Sequence, residues 1–357
     1  MLSNRDLLSL LQTCKTLLLT GAQELAGRPY SFELPARSRS LDDFYSLLHV
    51  AEHISFPALR RLTIKSGLNL TRDSGVLCLE WLLYGARHLC VLNIDANLLE
   101  LRDCYVPWTI WTMKELKVLR IGGITAAKMT KQVLQELHSP LECLIVSFRP
   151  LNKTCLACLL AKFRNTIREA IIEGPSFLNG CHSREPFLNL TRLSLSRCYQ
   201  ARLSVLVPMF PNIQVLKLMI NDSGFPKGLD LDRIRSENIK YQKEGPAPVW
   251  PSLKVLVVSK SALHLLAIQR EMDSVVLAWP IVLEQEDDIA CLEKSLAPLR
   301  PKHLKIQMKH SLSGLMRAIV TCIHRLERLD ITVQFTENSP HNTLVSYTFH
   351  ESSAGND

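Results

Sequence analysis

No apolar run in this 357-residue chain reaches the length of about eighteen that a membrane-spanning helix needs. The leucine-rich start, Leu7 to Leu19, is broken by Gln12, Thr13 and Lys15. Asp6 stands where a secretory leader carries positive charge alone, so neither a membrane span nor a leader is expected. Runs of five basic residues are also missing, although the net charge is +8. Cations spread this thinly predict a solvated mixed surface rather than a nucleic-acid footprint. The chain has no phosphate-binding glycine loop, dinucleotide glycine fingerprint, HExxH or GxSxG. A catalytic residue or a cofactor is therefore not expected.

Disulfide spacing is lacking too. The eleven cysteines make an odd count with no framework pattern, and reduced thiols in the cytoplasm or nucleus are the natural expectation. Cys155-x-x-Cys158 has no second CxxC. A zinc site there would need two further ligands, for example Cys181 and His182. The alternative is that TCLACLLAKF forms a helix on which both thiols pack, and no metal is the expectation. The paired acids Asp230 and Asp232, and the run Glu284 to Asp288, could serve as metal ligands or as acid and base. At helix starts such acids more often complement the helix dipole. His182, His264 and His303 have no evident partner in the sequence.

What is abundant is leucine at a fixed spacing. Leu190 to Cys198 reads LTRLSLSRC, an L-x-x-L-x-L-x-x-C unit in which Leu190, Leu193 and Leu195 share one side of a strand. The three-position pattern recurs as Leu59–Leu62–Ile64, Leu89–Leu92–Ile94, Leu116–Leu119–Ile121, Leu141–Leu144–Val146 and Ile167–Ala170–Ile172. After Leu190 it continues as Ile213–Leu216–Leu218 and Leu253–Leu256–Val258. Weaker forms are Ser274–Leu277–Trp279 and Pro301–Leu304–Ile306, and Leu326–Leu329–Ile331 closes the series. The ten intervals between residues 59 and 326 average about 27 residues, inside the range for leucine-rich repeats. The predicted fold class is α/β: a leucine-rich-repeat solenoid, a curved horseshoe of about eleven repeats, with a short helical cap at its N-terminus.

Four regions follow. Residues 1–26 form one or two helices, residues 27–58 a linker and capping segment, residues 59–335 the solenoid and residues 336–357 a C-terminal tail. A short strand is predicted near Tyr30–Leu34. Helices are predicted over Ser74–Ala86, Ala127–Leu137, Lys153–Phe163, Ser204–Met209, Ser261–Glu271, Asp287–Leu296 and Gly314–Ile323, with prolines such as Pro107 falling between elements. The widest interval, 213 to 253, holds Gly224, Pro226, Gly228, Gly245, Pro246 and Pro248 around a charged middle. It predicts a loop excursion over 221–250. The tail lacks the repeat pattern after Phe335.

The N-terminal stretch LSNRDLLSLLQTCK resembles the second half of an F-box. Leu2, Asp6, Leu7, Leu8, Leu10, Cys14 and Lys15 stand in that family's register, and an F-box followed by leucine-rich repeats is a familiar fungal arrangement. The resemblance implies that these residues, with Leu11, dock on the Skp-type adaptor of a cullin ubiquitin ligase. It also implies that the repeats present a protein substrate.

The residues alternating with the inward leucines predict the other half of that expectation. Eleven strands at about 4.8 Å spacing give a face on the order of 50 Å long, suited to a protein and not to a small molecule. The candidate substrate contacts are Arg61, Lys65, Val91, Asp95, Val118, Arg120, Ile145, Glu169, Glu173, Arg192, Val215 and Lys217. Apolar residues mixed with charges suit protein recognition better than phosphate binding. The expected function is therefore a substrate-recognition subunit of an SCF-type ligase, with no enzyme activity of its own. The alternative is a repeat scaffold with no ubiquitin link.

Overall fold

The computed structural model describes residues 30–34, 59–64, 73–95, 106–125, 127–148, 155–174, 185–198, 201–220, 230–246, 248–281, 286–309, 319, 325–334 and 344–350. Two compact units divide the chain: residues 1–149 with 159–167, and residues 150–158 with 168–357.

In the first unit, strands β1 (Tyr30–Leu34), β2 (Leu59–Ile64), β3 (Val91–Asp95), β4 (Val118–Thr125) and β5 (Cys143–Phe148) pair in chain order, all parallel. Parallel neighbours need a crossover. Helices α1 (Asp73–Gly85), α2 (Val106–Trp111) and α3 (Ala127–Glu136) provide crossovers here. Leu62, Leu92, Leu119 and Leu144 form one fully buried row, and Leu59, Leu89, Leu116 and Leu141 precede them as another. The boundary between the units falls within α4 (Leu156–Leu160), which runs on as a 3₁₀ turn over Ala161–Phe163.

In the second unit, β6 (Glu169–Glu173), β7 (Arg192–Ser196), β8 (Val215–Met219), β9 (Val255–Val258), β10 (Ser274–Ile281), β11 (His303–Lys309) and β12 (Arg328–Gln334) continue the parallel pattern. Ala170, Leu193, Leu216, Leu256, Val275, Leu304 and Leu329 stack in register as its buried row. Helices α5 (Leu203–Met209), α6 (Leu231–Glu244), α7 (Lys260–Leu266) and α8 (Glu286–Leu296) lie on the chain between these strands. The fold is a leucine-rich-repeat solenoid, as the spacing predicts.

Strand entry repeats as faithfully as the apolar rows. One carbonyl accepts two successive backbone N–H groups from the next repeat. Cys90 O takes those of Lys117 and Val118, and Lys117 O those of Glu142 and Cys143. Arg168 O takes Thr191 and Arg192, Thr191 O takes Gln214 and Val215, and Lys302 O takes Glu327 and Arg328.

The structure corrects the sequence reading at four places. The 221–250 excursion is not a loop throughout: α6 occupies fourteen of its residues. Asp230 caps this helix by accepting the Arg233 N–H at 2.8 Å. The buried Asn238 side chain fastens it, accepting the Leu203 N–H at 2.8 Å and donating to Ala201 O at 3.1 Å and Leu265 O at 2.9 Å. Gln242 bonds Ala267 O at 2.9 Å and the Gln269 N–H at 2.8 Å. The fully buried Trp250 then donates its indole N–H to Phe210 O at 2.8 Å.

The second correction is the register of β10. Val275 and Leu277 point inward and pair with Leu256 and Val258, which makes Met272, not Ser274, the leading residue of that repeat. Ser274 lies half-buried on the outward side. The third is in the tail, where β13 (Leu344–His350) pairs antiparallel with β12. It occupies an edge that would otherwise present unpaired backbone groups. The fourth is Pro107, which lies inside α2, in a first turn where a missing N–H costs nothing. The predicted helix Gly314–Ile323 lies outside the described residues, apart from Ile319.

Candidate protein-docking face

Strand alternation turns each second side chain away from the helices, and the register lines these side chains up across neighbouring strands. In the first unit, Arg61, Val91, Val118 and Cys143 form one outward row, and Thr63, Asn93, Arg120 and Ile145 the next. Val91, Val118 and Ile145 are half-buried, while Arg61 and Arg120 are exposed. Asp95 pairs with Gly122 at the strand ends. Lys65 lies outside the described residues.

In the second unit the first outward row runs Glu169, Arg192, Val215, Val255, Ser274, His303, Arg328. The next runs Ile171, Ser194, Lys217, Val257, Val276, Lys305, Asp330. The two ends of this face differ in electrostatics. On β6 and β7 the charges are matched: Arg192 lies 3.6 Å from Glu169, and Arg197 lies 3.2 Å from Glu173. From β8 to β11, half-buried Val215, Val255, Val257 and Val276 form an apolar centre between exposed Lys217 and Lys305. A depression of about 240 Å³ opens beside it, lined by Ser274, Val276, His303, Leu304, Lys305, Arg328 and Asp330. Arg328 is 3.1 Å from Asp330, and His303 is 3.7 Å from Glu327.

The structure thus brings together the predicted Glu169, Arg192, Val215 and Lys217 on one face, with Glu173 further along it. The sequence reading placed Ser274 inward because it took β10 two residues out of register; Val276 is outward in either register and was not among the predicted contacts. Helix α6 packs against α5 and α7, in the layer behind the sheet, so its residues 231–244 do not cover this face.

The remaining candidates fall elsewhere. The adaptor-docking residues Leu2, Asp6, Leu7, Leu8, Leu10, Leu11, Cys14 and Lys15 lie outside the described residues, as do Cys181 and His182. Cys155 is half-buried and Cys158 exposed, and no group of three or more metal-ligating side chains occurs among the described residues. Asp230 is the cap of α6, and Glu286, Asp287 and Asp288 occupy the first turn of α8. There they complement the helix dipole, and Asp288 also binds Lys260 at 2.6 Å.

His264 does have partners. Its Nδ1 lies 3.1 Å from Cys291 Sγ, and its Nε2 lies 3.5 Å from Asp232. Burial, then the Arg235 charge, push this imidazole below its ordinary value, while Asp232 works in the opposite sense. Burial pushes the Cys291 thiol up. Both groups are thereby held neutral, the opposite of a thiolate–imidazolium pair. On the helix side of the first unit, Trp81, Tyr84 and Trp108 stand 68%, 51% and 49% exposed, with the Arg87 guanidinium 5.3 Å from the Tyr84 ring.

No protein-family model matches the chain, and no curated protein does. Among solved structures it is similar to the Rad7 and Elc1 complex in yeast, at 13% identity over 83% of each chain and a TM-score of 0.38. It is also similar to a leucine-rich-repeat protein of Leptospira interrogans, at 12% identity over 87% of this chain and 73% of that one, with a TM-score of 0.30. Overlap this loose carries no argument about function. The fold rests on this chain's own register and burial. No described helix is long and apolar enough to cross a membrane.

Proposed function

We propose that this chain is a protein-binding scaffold that holds its partner on the outward sheet face of the second unit. We further propose that it serves as the substrate-recognition subunit of an SCF-type cullin ubiquitin ligase. The observation that carries the first statement is the valine cluster between two exposed lysines, on the side of the sheet away from the helices. Half-buried apolar side chains ringed by polar ones are the composition of a protein interface, with a dry centre and a wet rim. The ligase statement is supported by Asp6, Leu7, Leu8, Cys14 and Lys15 in the F-box register.

The test is co-expression of the full chain with a Skp-type adaptor, followed by size-exclusion chromatography. Co-elution that is lost in the Leu7→Asp, Leu8→Asp double variant is the expected result. If wild type and variant elute apart from the adaptor alike, the ligase assignment is rejected and the scaffold stands without it.

A further inference from the structure

The docking face carries a charge pattern that specifies its partner more narrowly. Lys217 on β8 and Lys305 on β11 belong to the same outward row, with Val257 and Val276 between them. Both lysines are exposed, and neither has an ion-pair partner among the described residues. On β6 and β7, by contrast, each arginine on or beside this face sits by a glutamate. Next to Lys305, the 240 Å³ depression is lined by His303 and Arg328, which sit 3.7 Å from Glu327 and 3.1 Å from Asp330 respectively. Lys217 and Lys305 therefore leave positive charge unmatched on either side of the valine centre.

Spacing adds geometry to sign. Three strand steps separate the two lysines, about 14 Å at about 4.8 Å per step. A segment crossing the strands in extended form advances about 3.4 Å per residue, and residues i, i+2 and i+4 share one side. Four residues therefore span about 14 Å. Resting on the reading that this face docks a protein, we infer that the partner contributes an extended acidic segment. Its pattern is acid–x–apolar–x–acid, with carboxylates on Lys217 and Lys305 and the apolar residue on Val257 and Val276. The depression between Ser274, Lys305 and Arg328 seats the second carboxylate.

Charge complementarity at exposed positions speeds encounter and selects partners, and salt weakens it. The central valines exclude water from the contact, so the pattern needs all three features.

The experiment is selection of a random peptide library, displayed on phage, against the full chain and two double variants: Lys217→Glu with Lys305→Glu, and Val257→Asp with Val276→Asp. All four positions are outward, and circular dichroism checks that the variants fold. The expected result is enrichment of two acids four residues apart around an apolar residue. A synthetic peptide of that consensus should lose about tenfold or more in affinity on either double variant. Enriched peptides that lack acids yet fail on the valine variant would overturn the acidic inference and leave the docking face standing. Peptides that bind all three proteins equally would overturn both. Absence of any enriched sequence would overturn the inference.

Discussion

In the second unit, the strands repeat one inward pair of apolar residues in row after row. The helices behind them also bury apolar side chains but share no such motif, and α6 is fastened by individual polar side chains. Leu193, Leu216 and Leu256 occupy equivalent buried sites on successive strands, and each is surrounded by its neighbours' equivalents. Asn238 has no counterpart on the strands: it ties α6 to Ala201, to Leu203 at the start of α5 and to Leu265 of α7 through three hydrogen bonds. The strand layer is held by repetition, and α6 behind it by specific clamps. Stability in the first is shared, since a stacked repeat draws its burial from the repeats on either side. In the second it is local.

The sharpest way to break this contrast is to remove one member of each class. Leu216→Ala deletes a fully buried side chain whose site cannot collapse, because β7 and β9 fix it on both sides. The expected cost is about 3–4 kcal/mol, read as a shift in the urea midpoint at constant slope. Asn238→Ala is expected to cost about 2–3 kcal/mol, since it strands the Leu203 N–H and two carbonyls in a buried site. Its effect should be concentrated in hydrogen exchange of α5 to α7, with β6 to β8 still protected. A uniform loss of protection across both layers would erase the distinction.

The same contrast explains what could be seen in the sequence. Each of the eleven strand starts at Leu59 to Leu326 has a strand in its repeat, β2 to β12, because burial of three positions at fixed spacing leaves a direct mark on residue type. The mark fails where the pattern is diluted. In DSVVLAW, valine and leucine occupy neighbouring positions, so Ser274 could be aligned as the leading residue as easily as Met272, and Ser274 was lost from the outward row, while the two-residue shift leaves Val276 outward in either register. Helix α6 was hidden for another reason. Its face toward the core is covered by Ile234, Arg235 and Asn238, and a helix held by hydrogen bonds lacks the apolar stripe that announces one. The flanking glycines and prolines then pointed to a loop. The strand β13 was legible in principle, since Val345, Tyr347 and Phe349 alternate. Its antiparallel pairing simply falls outside a search for the repeat. Of the docking face, the positions on β6 to β8 were legible from alternation. Which charges remain unmatched was not, because Glu169 and Arg192 meet only through the register.

The smallest expected effect lies in the clamp layer and depends on pH. His264 touches Cys291 and Asp232, with Arg235 and Lys294 also acting on it. Its imidazole is held below the ordinary value, chiefly by burial. The unfolded chain therefore binds a proton that the folded chain resists, and folding loses stability as pH falls through the ordinary histidine range near 6.5. Above that range both states are neutral and the contribution vanishes. Melting temperature measured from pH 7.5 down to 5.5 should therefore fall more steeply in wild type than in His264→Asn, the difference between the curves isolating this one group. The strand layer supplies the control, because Leu216→Ala lowers the whole curve and leaves its slope unchanged. If His264→Asn followed the wild-type slope, Asp232 would be holding the imidazole as readily protonated in the folded chain as in the unfolded one. The packing of α6 on α7 would then carry no proton linkage.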